Sequence, residues 1–290
     1  MSDLISIVVT SYNYQAFIGQ TLESILAQSF SNWEALIIDD GSTDDSLMVI
    51  KGFCEKDTRF KLLQHEGGGN RGLSESLQLG IGHASGDWVA FCESDDWWAP
   101  FFLETVCSSA RENPQAGVVF TDVILEGRSE SMEAHCRIVR EHFRQGKTAI
   151  DLYLEMRNAV PTFSCAMVKT GLVRGCNFRS YFAPSLDMWL WAQLVNKTEF
   201  EYVDKPLCHW RQHDKSYMKK EVDPAALDMQ RVLEFHDQIR GLFRNGKREV
   251  GGLNDSSGSE SRWAGFSNVV VNRSGGLFHK LRIRIGSFLR

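Results

Sequence analysis

No stretch of this chain approaches the ~18 consecutive apolar residues that a membrane-spanning helix requires. Met1–Asp3 lead straight into a strand-like run without a signal-peptide pattern. Proline is scarce, six in 290 residues, and no internal repeat is present. Paired C-x-x-C cysteines are missing too. The seven cysteines (Cys54, Cys92, Cys107, Cys136, Cys165, Cys176, Cys208) are odd in number and several lie inside apolar runs. Neither a disulfide framework nor a zinc site is expected, and a reducing cytoplasm is the expected setting. An excess of positive charge is also lacking: the net charge of −5 argues against a general nucleic-acid binder. What remains, 43% hydrophobic and 24% charged residues, is an ordinary globular composition that excludes disorder along the whole length. At about 100–200 residues per domain it allows one large domain, or one with an appendage.

The charge is unevenly spread. From Arg240 to the end there are ten Lys/Arg against three Asp/Glu, leaving 22 basic and 34 acidic residues in the rest. An acidic body with a basic tail suggests that the tail meets something anionic. Residues 251–261 (Gly-Gly-Leu-Asn-Asp-Ser-Ser-Gly-Ser-Glu-Ser) read as a flexible linker by composition. In the tail, Leu277, Phe278, Leu281, Ile285, Phe288 and Leu289 share one helical face, although Lys280–Ile285 also alternates as a strand does. An amphipathic helix on anionic lipid and a tail docked on protein are the two readings of residues 277–290.

Strand and helix signals alternate through the first hundred residues. Ile5–Thr10, Ala35–Ile38, Phe60–Leu63 and Asp87–Cys92 read as strands, the first two continuous and β-branched as strands buried on both faces are. Helices are expected over 17–30, from the turn at Gly41–Asp44 to about Glu55, and from the glycine cluster Gly67–Gly72 to about His83. This order means an α/β fold, a mostly parallel sheet with helices on its faces. Farther on, helices are expected at 101–112, 139–156, 186–195 and 223–245, and strands at 117–125, 162–168 and 200–203.

In such a sheet ligands bind beyond the carboxyl ends of the strands. Thr10–Asn13, Asp39-Asp40, the glycine loop with Arg71, and Glu93-Ser94-Asp95-Asp96 stand at those ends. Five carboxylates at one edge repel one another unless a cation neutralises them, and hard oxygen donors favour Mg²⁺ or Mn²⁺. The plainer reading makes Asp40 and Asp96 helix caps. Gly67-x-Gly69-x-x-Gly72, with Glu93 about 20 residues on, also satisfies a dinucleotide fingerprint, the mark of an NAD-dependent oxidoreductase. Two complete strand–helix units precede it, however, and three carboxylates stand where the fingerprint needs one.

Taken together, Ile7-Val-Val-Thr-Ser-Tyr-Asn13, Leu22 through Gln28-Ser-Phe30, Ile37-Ile-Asp-Asp-Gly-Ser-Thr-Asp44 and Gly86-Asp-Trp-Val-Ala-Phe-Cys-Glu-Ser-Asp-Asp96 resemble the family-2 glycosyltransferases of GT-A fold, over about residues 4–215. The resemblance implies a GT-A-like, Rossmann-related catalytic domain at 1–220 with a helical, basic extension at 221–290. It also implies transfer of a sugar from a nucleotide-sugar donor, UDP favoured, with inversion at the anomeric carbon. By the same resemblance Thr10 and Tyr12 line the base pocket, Tyr12 stacking on uracil. Asp40 accepts from the base imide, Asp39 supports it near the ribose, and Arg71 approaches the nucleotide. Asp95 contacts ribose and metal, Asp96 binds the metal, and Glu93 departs from the family's usual Asp.

The family places an acid at the start of a helix below the acceptor. Ser185-Leu-Asp-Met-Trp-Leu-Trp191 fits, making Asp187 the candidate general base, with Leu186 in place of the usual first acid. Trp189 and Trp191 are read either as a sugar-stacking surface or as core. His213 is a candidate metal ligand and Arg211 a candidate diphosphate contact. The Gln-x-x-Arg-Trp signature of processive synthases is absent, so one sugar per encounter is expected. The expected acceptor is a surface polysaccharide precursor or a lipid-linked oligosaccharide, met in the cytoplasm or at the inner face of the plasma membrane. A non-catalytic nucleotide-sugar-binding module and a nucleotidyltransferase are the remaining alternatives.

Overall fold

The computed structural model describes residues 4–127, 129–179, 185–213 and 234–243. The linker at 251–261, the tail at 277–290 and the outer parts of the helix expected over 223–245 lie outside these residues.

The sheet is organised around β1 (Ile5–Ser11), in which only Thr10 is not fully buried. β1 pairs in parallel with β2 (Trp33–Asp39) on one side and β4 (Trp88–Phe91) on the other, and β3 (Phe60–Gln64) continues beyond β2. Helices cover both faces of β1 and β2, which is why these strands are almost entirely buried and mostly apolar, whereas the edge strand β3 fully buries only Phe60. Three helices make the crossovers: α1 (Ile18–Leu26), α2 (Ser46–Lys56) and α3 (Leu73–His83). On α1, Ile18, Leu22 and Ile25 form the buried stripe, at i, i+4 and i+7.

The second half breaks the simple alternation. With β5 (Trp97–Trp98), β6 (Ala116–Glu126), β7 (Ala166–Lys169) and β8 (Glu199–Arg211), the sheet runs β3-β2-β1-β4-β7-β6-β8-β5. Only β7 and β5 pair antiparallel with their neighbours, so the sheet is mostly parallel, as expected. β8 is much longer than the strand expected at 200–203. Its register against β6 slips around Asp122, where Pro206 is the partner. A residue without an N–H is tolerated at such a bulge, and pairing resumes to Arg211.

The helix expected over 139–156 is two helices, α5 (Glu130–Arg144) and α6 (Ala149–Leu154). The chain turns at Gly146 and restarts on a capping box in which Thr148 and Asp151 satisfy each other's backbone N–H groups. The strand expected at 162–168 begins as a 3₁₀ turn, Phe163–Cys165, because the Thr162 side chain caps Ser164; it becomes β7 only at Ala166. α4 (Phe102–Glu112), α7 (Thr170–Arg174) and α8 (Leu186–Leu194) complete the layers.

Residues 234–243 are helical and bury Phe235, Ile239 and Phe243, with the Phe243 ring 6.5 Å from that of Tyr153 on α6. This part of the expected extension is therefore packed onto the main body. Among the described residues no helix is long and apolar enough to cross a membrane.

Candidate functional site

Strand order reverses at β1, with β2 and β3 to one side and β4 to the other, which opens a crevice beyond the carboxyl ends of β1 and β4. Asp39 and Asp40 end β2 on one flank, and Glu93–Asp96 follow β4 on the other. Neither Asp40 nor Asp96 caps a helix. α2 begins only at Ser46, whose N–H donates to Asp44 Oδ1 (3.0 Å), and Asp96 leads into β5.

Asp40 is buried, and both its oxygens are used. Arg71 N–H donates to Oδ1 (2.7 Å), Gly72 N–H donates to Oδ2 (2.8 Å), and His65 Nε2 lies 3.4 Å from Oδ1. This carboxylate ties the glycine loop to the end of β2. Gly41 makes the same junction possible: its φ is +76°, and a Cβ there would lie 2.9 Å from Asn70 N and from Gly68 O. Gly41→Ala is expected to cost about 2–3 kcal/mol through left-handed strain plus the clash. Gly68→Ala, at φ +66° but facing open space, is expected to cost only about 1 kcal/mol. Equilibrium urea unfolding of the two variants checks the difference.

Asp39 differs from its neighbour. Its Oδ2 accepts from Ser42 N–H and Gln64 Nε2 (3.3 Å each), whereas Oδ1 is buried with no hydrogen-bond partner. Ser11, the last residue of β1, pairs in register with it and Thr10 with the preceding Ile38, while Tyr12 stands at the rim, 40% exposed. Arg71 is exposed on the glycine loop.

The acidic run is held from several sides. The Thr21 hydroxyl of α1 lies 3.0 Å from Ser94 O and 2.7 Å from Asp96 O. Asp96 Oδ1 accepts from Arg211 N–H (2.9 Å), while its Oδ2 is buried and unmatched. Asp95 Oδ2 meets His213 Nε2 at 3.1 Å, and Tyr14 is hydrogen-bonded to Asp95 as well. Glu93 Oε2 accepts from the Thr162 hydroxyl (2.8 Å), and Glu93 N–H donates to Ser164 Oγ (2.9 Å).

Burial and mutual repulsion push the Glu93 and Asp96 carboxyls above the usual range. The nearby Tyr14 hydroxyl and Cys92 thiol are raised by burial and by the same negative charges. Glu34, at the opposite end of the sheet, behaves otherwise. Burial alone would raise it, but hydrogen bonds from Lys61, Ser6 and Ser85 hold it below the usual range. Negative charge is matched at one end of the sheet and left in excess at the other.

The Arg211 guanidinium is engaged within the protein: it donates to Gln20 Oε1 (2.6 Å), approaches Glu126 Oε2 (3.6 Å) and sits over the Phe17 ring. His213 stacks on the same ring, centroids 4.4 Å apart. Among the described residues no three His, Cys, Asp or Glu side chains converge as a complete metal cage. The Asp95/Asp96 pair supplies hard oxygen donors with one orphaned oxygen, a set that suits Mg²⁺ or Mn²⁺ when a ligand's phosphates provide the other donors.

Asp187 is the one residue of α8 that is only partly buried, the other eight being buried. Its Oδ2 accepts from Asn158 Nδ2 (2.8 Å), and its negative charge contributes to raising Glu93. Burial pushes Asp187 itself up to about 6, against the lowering effect of the Met188 and Asp187 N–H groups and of Asn158. Trp189 and Trp191 are core residues, Trp189 Nε1 donating to Asn177 O (2.7 Å), so they form no sugar-stacking surface. Residue-level reading missed Tyr14, Phe17, Asn158 and Thr162. Only Tyr14 left a signal, one position beyond the inspected Thr10–Asn13.

The family described as Glycosyl transferase family 2 matches residues 6–174, more than half of the chain. The chain belongs to that family. The match ends before α8, so Asp187 lies outside it. The family 2 assignment, and the anchoring of the glycine loop by Asp40, set aside the dinucleotide reading of Gly67–Gly72.

Glycosyltransferase GlyA of Streptococcus pneumoniae serotype 4 is 33% identical over 132 residues, which is 46% of this chain and 18% of that protein. Putative glycosyltransferase EpsH of Bacillus subtilis is 25% identical over 247 residues, 83% of this chain and 65% of that one. The chain thus spans less than two thirds of either relative. S. aureus TarS 1–349 in complex with UDP matches with a TM-score of 0.61 at 18% identity, covering 89% of this chain and 68% of that one. Glucosyl-3-phosphoglycerate synthase from Mycobacterium tuberculosis, in complex with Mn²⁺, UDP and glucosyl-3-phosphoglycerate, matches at 0.54 and 16% identity, covering 88% and 82%. These likenesses establish the GT-A fold.

Proposed function

We propose that this family 2 chain is an inverting glycosyltransferase that moves one sugar from a nucleoside-diphosphate donor, a UDP-sugar by preference, to an acceptor hydroxyl. The observation that carries the reading is Asp187, the single partly exposed position of an otherwise buried helix, close enough to the acidic run for its charge to raise Glu93.

The donor's base is proposed to stack on Tyr12 beside Thr10. Its imide N–H needs an acceptor, and the free Asp39 Oδ1 suits it better than Asp40, whose oxygens already hold the glycine loop. The imide role implied for Asp40 therefore moves to Asp39, and Asp40 becomes the anchor that presents Arg71 toward the nucleotide. Asp95 and Asp96 would hold a divalent cation, Mn²⁺ or Mg²⁺, with His213 steadying Asp95; bound there, it would supply Lewis-acid stabilisation of charge on a departing diphosphate. A diphosphate contact from Arg211 drops out, because its guanidinium is taken by Gln20 and Glu126.

Asp187 takes the acceptor's hydroxyl proton as that oxygen bonds to the anomeric carbon from the face opposite the leaving group. The bond from carbon to the diphosphate oxygen breaks with its electron pair, and the nucleoside diphosphate leaves. A surface-polysaccharide or lipid-linked oligosaccharide acceptor, and contact with the inner face of the plasma membrane through residues 277–290, are parts of the proposal that rest on the family's habits and the tail's composition.

Calorimetric titration with a panel of nucleotide sugars, with and without Mn²⁺, followed by product analysis, tests the reading. Expected are Mn²⁺-dependent UDP-sugar binding and release of UDP. Release of pyrophosphate would identify a nucleotidyltransferase, and binding without any release a catalytically inert module.

A further inference from the structure

Behind Asp187 lies a buried polar chain that the proposed chemistry does not yet use. Asn158, 6% exposed, sits in the segment between α6 and the 3₁₀ turn. Its Oδ1 accepts from the Tyr153 hydroxyl (2.7 Å) and from Val160 N–H (3.3 Å), and its Nδ2 donates to Asp187 Oδ2 (2.8 Å). Two donors on the oxygen side decide which way the amide faces. Flipped, it would set its NH₂ against the Val160 N–H and its oxygen against a carboxylate. The approach to this position is strained. Met156 has φ +57°, and Arg157 N–H closes back onto Leu152 O (2.9 Å), so the chain leaves α6 through a left-handed residue two positions before Asn158. Tyr153 is fully buried at the far end, where Phe243 of the 234–243 helix packs near it.

We propose that Asn158, oriented by Tyr153, is a positioning residue for Asp187, holding the carboxylate in the one rotamer that faces the acceptor. The inference deepens the reading of Asp187 as general base and rests on it. The donated N–H favours the charged carboxylate, opposing the burial that raises it. The titratable groups facing Asp187 are Glu93 after β4 and Tyr153 on α6. On α7, which packs against α8, Arg174 is turned to Ile81 O and Ala84 O instead.

The test uses the full chain with Mn²⁺ and whichever of UDP-glucose, UDP-galactose and UDP-N-acetylglucosamine binds tightest, water serving as acceptor. Asn158→Leu is expected to lower kcat for UDP release about tenfold, leave KM for the donor within about twofold, and move the acid limb of kcat/KM up by about one pH unit. Tyr153→Phe, which keeps the ring and should fold where the leucine variant does not, is expected to move both in the same direction by less. The carboxyl NMR resonance of Asp187, assigned by its loss in Asp187→Asn, should show the same upward titration shift without reference to turnover. Reduced activity with an unmoved acid limb and an unmoved resonance would reduce Asn158 to a packing residue and overturn the proposal. So would wild-type rates in both variants while Asp187→Asn is inactive, an outcome that leaves the base reading intact. A fully active Asp187→Asn removes both.

Discussion

Asp187→Asn is expected to lower kcat for sugar transfer by about a hundred- to ten-thousandfold, with donor binding unchanged, because only the proton acceptor is lost. In the unmodified protein, kcat/KM should rise through about pH 6 as Asp187 ionises and level off above it. The same substitution should make the fold more stable in mild alkali. Burial raises the folded-state carboxyl above its unfolded value of about 3.9, so between about pH 4 and 6 the folded state binds the proton more tightly and stability falls as the pH rises. Asparagine cannot ionise and escapes that loss, worth on the order of 3 kcal/mol at pH 8. An inactive variant with a higher melting temperature at pH 8 than the parent is therefore the signature; retained activity would remove the base from the mechanism.

Asp96→Asn is expected to abolish the Mn²⁺-dependent part of UDP binding, at least about a hundredfold in affinity. The substitution is conservative where it matters for folding, since the amide oxygen can still accept the Arg211 N–H that Asp96 Oδ1 accepts at 2.9 Å. What disappears is the charge and the unmatched second oxygen. Calorimetry in Mn²⁺ and again in EDTA separates the cases: the parent should lose affinity on chelation and the variant should not change. A variant that binds UDP like the parent in Mn²⁺ would move the cation elsewhere.

The first half of this architecture is legible from sequence because strands covered on both faces are dominated by apolar, β-branched residues, and a buried polar one such as Ser6 needs a partner; Ile5–Thr10 and Ala35–Ile38 announce themselves. The acids at the ends of β2 and β4 are legible for the same reason, being abrupt polar stops after apolar runs. Which acid does what is not. Asp39 and Asp40 are adjacent, and only the return of the glycine loop, 31 residues later, occupies one and leaves an oxygen of the other open. Arg211 reads as a phosphate ligand until Gln20, 191 residues away, is seen to hold it. Asn158 was hidden by distance, 29 residues from its partner, and it follows a region that reads as one helix rather than two.

With every other position of α8 sealed into the interior, that helix offers evolution a single editable letter. If Asp187 is the base, as proposed, drift elsewhere along the helix would collide with packing before touching chemistry, leaving the surrounding loops as the place where new acceptor preferences arise. The helix serves as a fixed pedestal under interchangeable furniture.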